Sequence, residues 1–555
     1  MQQSVPSPST VQATFTATLF DEWRHLGLSD VVICPGSRST PLALAASEHP
    51  QFDLHVRIDE RSAGFFAIGR ALVTRRPVAV IVTSGTAAAE LHAAVAEADL
   101  AGVALLVLTA DRPPELHGVG APQSINQRDL YGSMVRRYEE PGVARLEASR
   151  SWRPLARRLW ASASGEDAAP GPVHLNAAFI EPLIAAPLEL PRGGDEAALP
   201  RETDRRRTPV TGLDLSRGRI LCVVGPGTDS TIIDECRALD WVVLGDATSR
   251  GSLAYFDAVL RDDAFAKRVR PDVVVRLGGL PASKVLLERL GSWGVRVVAM
   301  TGAGLVADPT GIVNETVAGV PRGTDDSLRG ERRYVDVWSE ASARVGVRLD
   351  ELERSVTELS EPLIARALVA ASARHHAPLV VGSSMPVRDV EWWAPPRESA
   401  TFANRGANGI DGVVSTILGV SAGAKGLGLV GDITMLHDVS GLVDALGTAG
   451  GSCVIVVVDN GGGGIFSFLS QASALSESRF ELLFGTPRAH DLVAVAAAFG
   501  HRARRVDTLA ALVDAIDEWI AREGLSVVVA KVGTREENVR YHEWLNALVV
   551  GEISE

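Results

Sequence analysis

The chain has 555 residues, of which 46% are apolar, and this length is enough for about two to four domains with large aliphatic cores. Its net charge of −13 argues against nucleic acid as a partner, because phosphate binding needs a basic face. Its apolar runs are too short to cross a bilayer and its first residues lack the pattern of a signal peptide, so we expect a cytoplasmic protein without a membrane span.

The first predicted α/β stretch covers residues 1–190. Apolar runs alternate there with alanine-rich helical patterns, and four runs are predicted strands: 31–34, 54–57, 78–82 and 104–109. Continuous apolar strands indicate a parallel sheet that is buried on both faces. Residues 191–208 are charged and contain proline and glycine, so they are predicted to form a linker.

Two further stretches repeat this alternation, at residues 209–344 and 349–555. Their predicted strands are 220–224, 241–244, 273–277, 295–300, 379–381, 427–430, 454–458 and 527–532. The tail is predicted to be a helix over 535–548 that packs or lies on the surface rather than forming a site. The fold class expected from these patterns is α/β, with three doubly wound parallel-sheet domains.

Polar loops follow the first four predicted strands. They are 35–41 (PGSRSTP), 59–61 (DER), 83–86 (TSGT) and 110–114 (ADRPP). In open α/β sheets, ligands bind beyond the carboxyl ends of the strands. Four such loops in succession therefore predict a ligand site at this edge of the first sheet.

A second set of loops lies in the third stretch. Gly431-Asp432-Ile433 follows one apolar strand, and Asp459-Asn460 followed by four glycines comes after the next. The gap between these loops accommodates a helix and a strand, so both loops can meet at one sheet edge. Carboxylate, amide and carbonyl oxygens suit Mg²⁺, and glycines let the backbone approach a diphosphate closely.

This Gly-Asp and Asn-x-Gly pattern resembles the metal and diphosphate site of thiamine-diphosphate enzymes. Between residues 31 and 466, further segments resemble the carboligases of menaquinone biosynthesis within that family: CPGSRSTPL, HVRIDERSAGFFAIGRA, VTSGTAAAEL, TADRPPEL, FANRGANGIDG, GDITMLHD and DNGGGGIF. The resemblance implies thiamine diphosphate with Mg²⁺ or Mn²⁺. It also implies a pyrimidine-binding domain at 1–190, a central α/β domain at 209–344 and a diphosphate- and metal-binding domain at 349–555.

The resemblance also implies roles for individual residues. Glu60 is the expected catalytic residue, which hydrogen-bonds N1′ of the cofactor pyrimidine. The residues expected to bind the cofactor are Glu60, Ser84, Gly85, Thr86, Ile410, Gly431, Asp432, Asn460, Gly462, Ile465 and Phe466. Ile410 is expected to support the bent cofactor. Asp432, Asn460 and Gly462 are the expected metal ligands.

The reaction implied is decarboxylation of 2-oxoglutarate and addition of the remainder to isochorismate. Both substrates carry two carboxylates, which arginine binds bidentately. The residues expected to bind them are Ser37, Arg38, Arg112, Gln123, Ser384, Arg388 and Arg405. Pro122 and Val285 depart from the family pattern, which usually has asparagine and arginine there. The resemblance further implies a homodimer or homotetramer with active sites at the subunit interface.

Three alternatives compete with this interpretation. An acetolactate synthase-like carboligase has small neutral acceptors and would not need four arginines. A nicotinamide oxidoreductase predicts GxGxxG at the start of a helix, of which Gly225-Pro226-Gly227 is only a fragment. A non-catalytic binding protein with this fold would have no need of Glu60, Asp432 and Asn460.

Overall fold

The computed structural model describes residues 6–166, 169–192, 208–216, 218–303, 306–443, 445–447 and 450–554. The chain divides into two compact units. Unit 1 comprises Met1–Asp204, Asn404–Ala424 and His437–Gly451, and unit 2 comprises Arg205–Ala403, Lys425–Leu436 and Ser452–Glu555.

Three sheets contain the named strands. The first sheet has β1 (Asp30–Ile33), β2 (Asp53–Val56), β3 (Val78–Val82), β4 (Leu105–Asp111), β5 (Tyr138–Glu139) and β6 (Pro172–Ala178). The second has β7 (Ile220–Val224), β8 (Val242–Gly245), β9 (Val273–Leu277), β10 (Arg296–Met300) and β11 (Glu315–Val317). The third has β12 (Leu379–Val381), β13 (Thr401–Phe402), β14 (Lys425–Gly431), β15 (Ser452–Asp459), β16 (Arg502–Val506) and β17 (Gly524–Lys531).

The α-helices, in chain order, are α1 (Pro8–Leu26), α2 (Thr40–Ser47), α3 (Glu60–Thr74), α4 (Thr86–Glu90), α5 (His92–Ala101), α6 (Trp152–Ser164), α7 (Ser230–Ala238), α8 (Phe256–Val259), α9 (Asp263–Arg268), α10 (Lys284–Trp293), α11 (Arg332–Ser355), α12 (Glu361–His375), α13 (Met385–Trp393), α14 (Val413–Ser421), α15 (Asp432–His437), α16 (Gln471–Ala474), α17 (Glu477–Phe480), α18 (Leu492–Ala498), α19 (Leu509–Trp519) and α20 (Arg535–Ser554).

Unit 1 is built on the first sheet, whose strand order is β2-β1-β3-β4-β6-β5. Strands β3, β4 and β6 are buried along their whole length, as expected of central strands covered on both faces. Helices α1, α2 and α6 contribute Phe15, Trp23, Leu42 and Trp152 to a core that includes apolar residues of the sheet.

Helices α3 and α14 pack closely within unit 1. A Cβ added at Gly69 would lie 2.3 Å from the carbonyl oxygen of Thr416, and one at Gly419 would lie 2.2 Å from that of Phe66. Only glycine permits this approach of the two backbones. Every residue of α14 is buried, which fits a sequence whose only polar side chains are the hydroxyls of Ser415, Thr416 and Ser421.

Unit 2 contains the other two sheets, with strand orders β11-β10-β9-β7-β8 and β13-β12-β14-β15-β17-β16. Helix α20 contributes Leu545, Val549 and Ile553 to a core that also holds Trp338 of α11. The tail helix is therefore a packed element, and it extends to Ser554 rather than to residue 548.

The predicted α/β class with three parallel sheets is confirmed, since every pairing between named strands is parallel. Strands β5, β6, β11, β13 and β16 were not predicted. Most of the expected linker, residues 193–207, lies outside the described residues. Among the helices that the structure describes, none is long and apolar enough to span a bilayer.

Candidate active site

The expected site residues of unit 1 follow neighbouring strands of one sheet. Strand β1 lies between β2 and β3, and β3 also pairs with β4, all in parallel. The loops after these four strands therefore meet at one edge. Ser37 is exposed in the loop after β1, and Thr86 is an exposed first residue of α4 after β3.

Glu60 is the first residue of α3, and Asp59 caps the helix by accepting a 2.9 Å hydrogen bond from the Ser62 N–H. Partial burial raises the pKa of the Glu60 carboxyl, and the nearby carboxylates of Asp59 and Glu90 add to this effect. Glu60 lines a cavity of about 430 Å³ together with Ile58, Asp59, Glu90, Ser440 and Val443. A carboxyl group with a raised pKa in a cavity is suited to proton transfer.

Ser84 and Gln123 are brought together beside this edge. The Ser84 hydroxyl donates a 3.0 Å hydrogen bond to the Gln123 carbonyl, and the Gly85 N–H donates one of 2.8 Å to Oε1 of Gln127. Gln123 has φ +56° and Gly85 has φ +86°. Positive φ is uncommon for a residue with a side chain, and such conformations are concentrated at functional sites.

Arg38 and Arg112 are close enough to affect each other electrostatically. Burial lowers the pKa of Arg38, and the positive charge of Arg112 lowers it further. Arg38 donates hydrogen bonds to the Phe179 carbonyl (3.0 Å) and to Glu181 (3.1 Å), whose side chain is 73% exposed. Arg112 donates through Nη2 to the Pro122 carbonyl at 3.0 Å. Two neighbouring guanidinium groups favour an anion between or beside them.

The loop with Arg405 and Ile410 is also part of unit 1. Nε of the half-buried Arg405 is buried and has no hydrogen-bond partner within the described part of the chain. The loop backbone is held by Glu97 of α5, whose carboxylate accepts hydrogen bonds of 2.7 Å from the N–H groups of Gly406 and Ala407. Glu97 was not singled out from the sequence.

In unit 2, β14 and β15 run in parallel with Gly431 opposite Val458, so the residues after both strands lie side by side. Asp432 is buried, and burial raises the pKa of its carboxyl to about 6. The Ile433 N–H donates a 2.7 Å hydrogen bond to Asp432, and the N–H groups of Gly461 and Gly462 also lower this pKa.

Asn460 is anchored on one side only. Its Nδ2 donates a 2.8 Å hydrogen bond to Oε1 of Glu361, whereas its buried Oδ1 has no partner among the described residues. The Gly462 carbonyl accepts a 2.9 Å hydrogen bond from the Gly464 N–H, which leaves it one lone pair. Ile465 and Phe466 lie half-buried in the next turn of chain.

Ser384 and Arg388 lie at the start of α13, after β12 in the same sheet. Ser384 has φ +74°, another left-handed residue at a strand end. Nη1 of Arg388 donates a 2.6 Å hydrogen bond to the Ser384 carbonyl.

Comparison with known proteins identifies the family. Residues 13–130 match the thiamine pyrophosphate enzyme N-terminal TPP binding domain, and residues 384–530 match the C-terminal TPP binding domain. The chain is 38% identical to the 2-succinyl-5-enolpyruvyl-6-hydroxy-3-cyclohexene-1-carboxylate synthase of Myxococcus xanthus (strain DK1622), over 99% of each chain. It is 40% identical to the synthase of the same name from Thermobifida fusca (strain YX), over 90% of this chain and 92% of the relative.

The chain belongs to this synthase family. The resemblance found in the sequence motifs is thus confirmed, and the chain is a thiamine-diphosphate-dependent enzyme.

Solved structures agree with this family at the level of the fold. The benzoylformate decarboxylase of Polynucleobacter necessarius has a TM-score of 0.64 at 16% identity, over 94% of this chain and 99% of the other. The 4-hydroxybenzoylformate decarboxylase of Rhodococcus jostii RHA1 has a TM-score of 0.65 at 15% identity, over the same shares.

The residues of this synthase-family chain fit a divalent cation held by oxygen ligands. The described residues contain no cluster of three or more His, Cys, Asp or Glu side chains that could hold a metal. A site built from one carboxylate, one amide oxygen and one carbonyl does not require such a cluster. The partnerless Oδ1 of Asn460 beside the buried Asp432 is the observation that favours a cation there.

A buried polar pair connects the tail helix to α13 in this family member. Nε2 of His542 lies 2.7 Å from Oδ1 of Asp389, and both side chains are nearly inaccessible to solvent. Burial alone would lower the pKa of His542, but the Asp389 carboxylate raises it. This pair could not be predicted from sequence patterns, because His542 lies in a helix that was predicted only to pack or face solvent.

Proposed function

We propose that this chain decarboxylates 2-oxoglutarate and adds the remainder to isochorismate, giving 2-succinyl-5-enolpyruvyl-6-hydroxy-3-cyclohexene-1-carboxylate and CO₂ in menaquinone biosynthesis. The observation that carries this proposal is 38% identity over 99% of both this chain and a synthase of that name. A likeness limited to the cofactor-binding domains would support only the cofactor. This one spans nearly the whole chain, including residues 131–383 between the two matched segments.

The chemistry divides between cofactor and protein. The C1–C2 bond of 2-oxoglutarate breaks and CO₂ leaves. C2 then forms a new carbon–carbon bond at one end of a ring C=C bond of isochorismate, and that double bond opens and takes up a proton from solvent at its other end. The bound cofactor supplies the electron sink for the broken bond. No side chain needs to act as a nucleophile, so the protein positions the substrates, excludes water and balances charge.

Glu60 is the catalytic residue in this proposal, and its carboxyl group would hydrogen-bond N1′ of the cofactor pyrimidine. Its raised pKa lets the carboxyl hold a proton more readily than an exposed glutamate does, so the proton can be shared with a ring nitrogen. Ser84, Gly85 and Thr86 would contact the cofactor from the neighbouring strand end, and Ile410 would support its bent shape.

The substrate carboxylates would be bound by four arginines, Arg38, Arg112, Arg388 and Arg405, with hydrogen bonds from Ser37, Gln123 and Ser384. The electrostatic repulsion between Arg38 and Arg112 supports this assignment, because a dianion beside them would relieve it.

The cofactor diphosphate would be held through Mg²⁺ or Mn²⁺. Asp432, Asn460 and the Gly462 carbonyl would bind the metal, and Gly431, Ile465 and Phe466 would contact the cofactor nearby. The partnerless Asn460 Oδ1 supports this set of ligands.

The assembly in this proposal is a homodimer or homotetramer in a cytoplasmic location, with each active site shared between two subunits. One cofactor needs both Glu60, which belongs to unit 1, and Asp432, which belongs to unit 2. We retain 1–190, 209–344 and 349–555 as the proposed domain boundaries.

Donor selectivity tests this function against an acetolactate synthase-like activity. The protein is incubated with thiamine diphosphate, Mg²⁺, isochorismate and either 1-¹³C-2-oxoglutarate or 1-¹³C-pyruvate, and released ¹³CO₂ is measured. We expect release from 2-oxoglutarate. Release from pyruvate alone, with formation of acetolactate, would reject the proposed donor.

A further inference from the structure

Glu361 is a buried carboxylate beside Asn460 that no sequence motif includes. It is the first residue of α12 and its exposed fraction is 3%. Its Oε1 accepts a 2.8 Å hydrogen bond from Nδ2 of Asn460, although the two residues are 99 positions apart in the chain. Because burial of a carboxylate is unfavourable without compensation, its presence here calls for a specific role.

This contact decides which way the Asn460 amide faces. Oε1 of Glu361 is the acceptor in this contact, so it pairs with the NH₂ end of the amide and not with the amide oxygen. Nδ2 is held at Glu361, and Oδ1 is the end left over. Oδ1 is buried and accepts no hydrogen bond from any described residue. A buried acceptor in this state requires a donor or a cation, and Oδ1 is the atom through which asparagine binds a hard cation.

We propose that Glu361 is a positioning residue that fixes the Asn460 amide with Oδ1 presented to the divalent cation of the cofactor site. The inference rests on the metal site proposed above and adds a residue to it. Without Glu361, the amide adopts both orientations and presents its NH₂ group to the cation for part of the time. The loss therefore falls on metal affinity rather than on the chemical step.

Metal binding by the full-length protein tests this role directly. Free Mn²⁺ is measured by electron paramagnetic resonance during titration in the presence of saturating thiamine diphosphate. In Glu361→Leu the acceptor is lost, and we expect about 10- to 100-fold weaker Mn²⁺ binding, as for other residues that orient metal ligands. Glu361→Gln keeps the shape but has an NH₂ group that can pair with Oδ1, so we expect a smaller loss of about three- to tenfold.

Glu391→Gln is the matched control. Glu391 is also a buried glutamate of unit 2, but its Oε2 accepts a 2.8 Å hydrogen bond from the Ala282 N–H instead of contacting Asn460. We expect wild-type Mn²⁺ affinity in this variant. Circular dichroism establishes whether Glu361→Leu folds, and if it does not, Glu361→Gln decides the test.

Asp432→Ala separates failure of this inference from failure of the metal site. The deciding variant is Glu361→Leu if it folds and Glu361→Gln if it does not. If this variant binds Mn²⁺ within about twofold of wild type while Asp432→Ala loses most of its affinity, the positioning role is overturned and the proposed metal site is retained. Unchanged affinity in Asp432→Ala as well would overturn both.

Discussion

The carboxylate of Glu97 accepts a 2.7 Å hydrogen bond from the backbone N–H of Gly406. Its second oxygen accepts a bond of the same length from the Ala407 N–H, so one side chain of α5 holds two successive peptide groups. Successive N–H groups of this kind form an anion-binding concavity, which here is occupied by the protein's own carboxylate. The conformation of the loop that contains Arg405 and Ile410 is thus fixed by a residue 309 positions away in the chain.

Replacing Glu97 with alanine should weaken substrate binding. Two hydrogen bonds to a charged group, each contributing about 1.5–3 kcal/mol, are lost, and the loop with Arg405 becomes less ordered. We expect KM for at least one substrate to rise by about tenfold or more, with a smaller change in kcat. Steady-state kinetics with each substrate varied in turn measures both constants.

Glu22→Ala is the control for general destabilisation, because Glu22 is also buried in unit 1 but pairs with Arg153 and Arg157. It should lower the thermal unfolding midpoint without changing KM. An unchanged KM for both substrates in a folded Glu97→Ala protein would show that substrate binding does not depend on this anchor.

Glu60→Gln should retain cofactor binding and lose nearly all turnover. The amide cannot exchange a proton with N1′ of the pyrimidine, and proton transfer by a positioned group contributes about 10²- to 10⁴-fold to rate. Turnover and cofactor titration by intrinsic fluorescence give the two readouts. Glu90→Gln is the matched control, since Glu90 lines the same cavity, and it should retain most activity. Near-normal turnover in Glu60→Gln would remove Glu60 from the catalytic role.

The free energy of unfolding should depend on pH through the buried carboxylate of Asp30. Burial alone would raise its pKa, but hydrogen bonds from His55 and Arg70 lower it from 3.8 to about 2. Because the pKa of Asp30 is lower in the folded chain than in the unfolded chain, the ionised carboxylate adds about 2 kcal/mol to the free energy of unfolding. This contribution is present above pH 4 and is lost as the pH falls toward 2.

Asp30→Asn should therefore lower the thermal unfolding midpoint at neutral pH, with a difference from wild type that shrinks below about pH 4. Asp53→Asn is the control, because Asp53 is the exposed register partner of Asp30 on β2. A difference that stays constant down to pH 3 would argue against the lowered pKa.

Sequence patterns predicted the central strands well and the edge strands poorly. The bounds of β3, β7, β9 and β12 agree with the prediction, because each is a largely apolar run that is followed directly by threonine or glycine. Strand β16 contains three arginines, and β5 and β13 have two residues each, so no apolar run identifies them. The fully buried β6 was missed because it begins with proline and contains His174 and Asn176.

Site residues could be proposed from the sequence only where short motifs contain them. Glu60 and Asp432 lie inside recognisable motifs, whereas Glu97 and Glu361 act through contacts with residues far along the chain. A glutamate on an alanine-rich helix or at a helix N-terminus is typical of solvent-exposed positions. Only the folded chain shows that these two carboxylates hold the loop of Arg405 and the amide of Asn460.

Subunit exchange should test whether the active site is shared between chains. Glu60→Gln and Asp432→Ala are each expected to be inactive as homo-oligomers. In a mixed dimer, one site would contain both lesions and the other neither, so activity should return on mixing. Exchange is verified with two different affinity tags. Exchange without recovery of activity would mean that Glu60 and Asp432 of the same chain serve one cofactor.

The central claim, that the enzyme joins 2-oxoglutarate to isochorismate, is tested most directly by mass spectrometry of the product. The protein is mixed with thiamine diphosphate, Mg²⁺, isochorismate and uniformly ¹³C-labelled 2-oxoglutarate, and cofactor and isochorismate are each omitted in parallel. The account predicts an adduct of isochorismate that carries four of the five labelled carbons and requires every component. Absence of that adduct, in a protein shown to bind the cofactor and to turn over another 2-oxo acid, would contradict it.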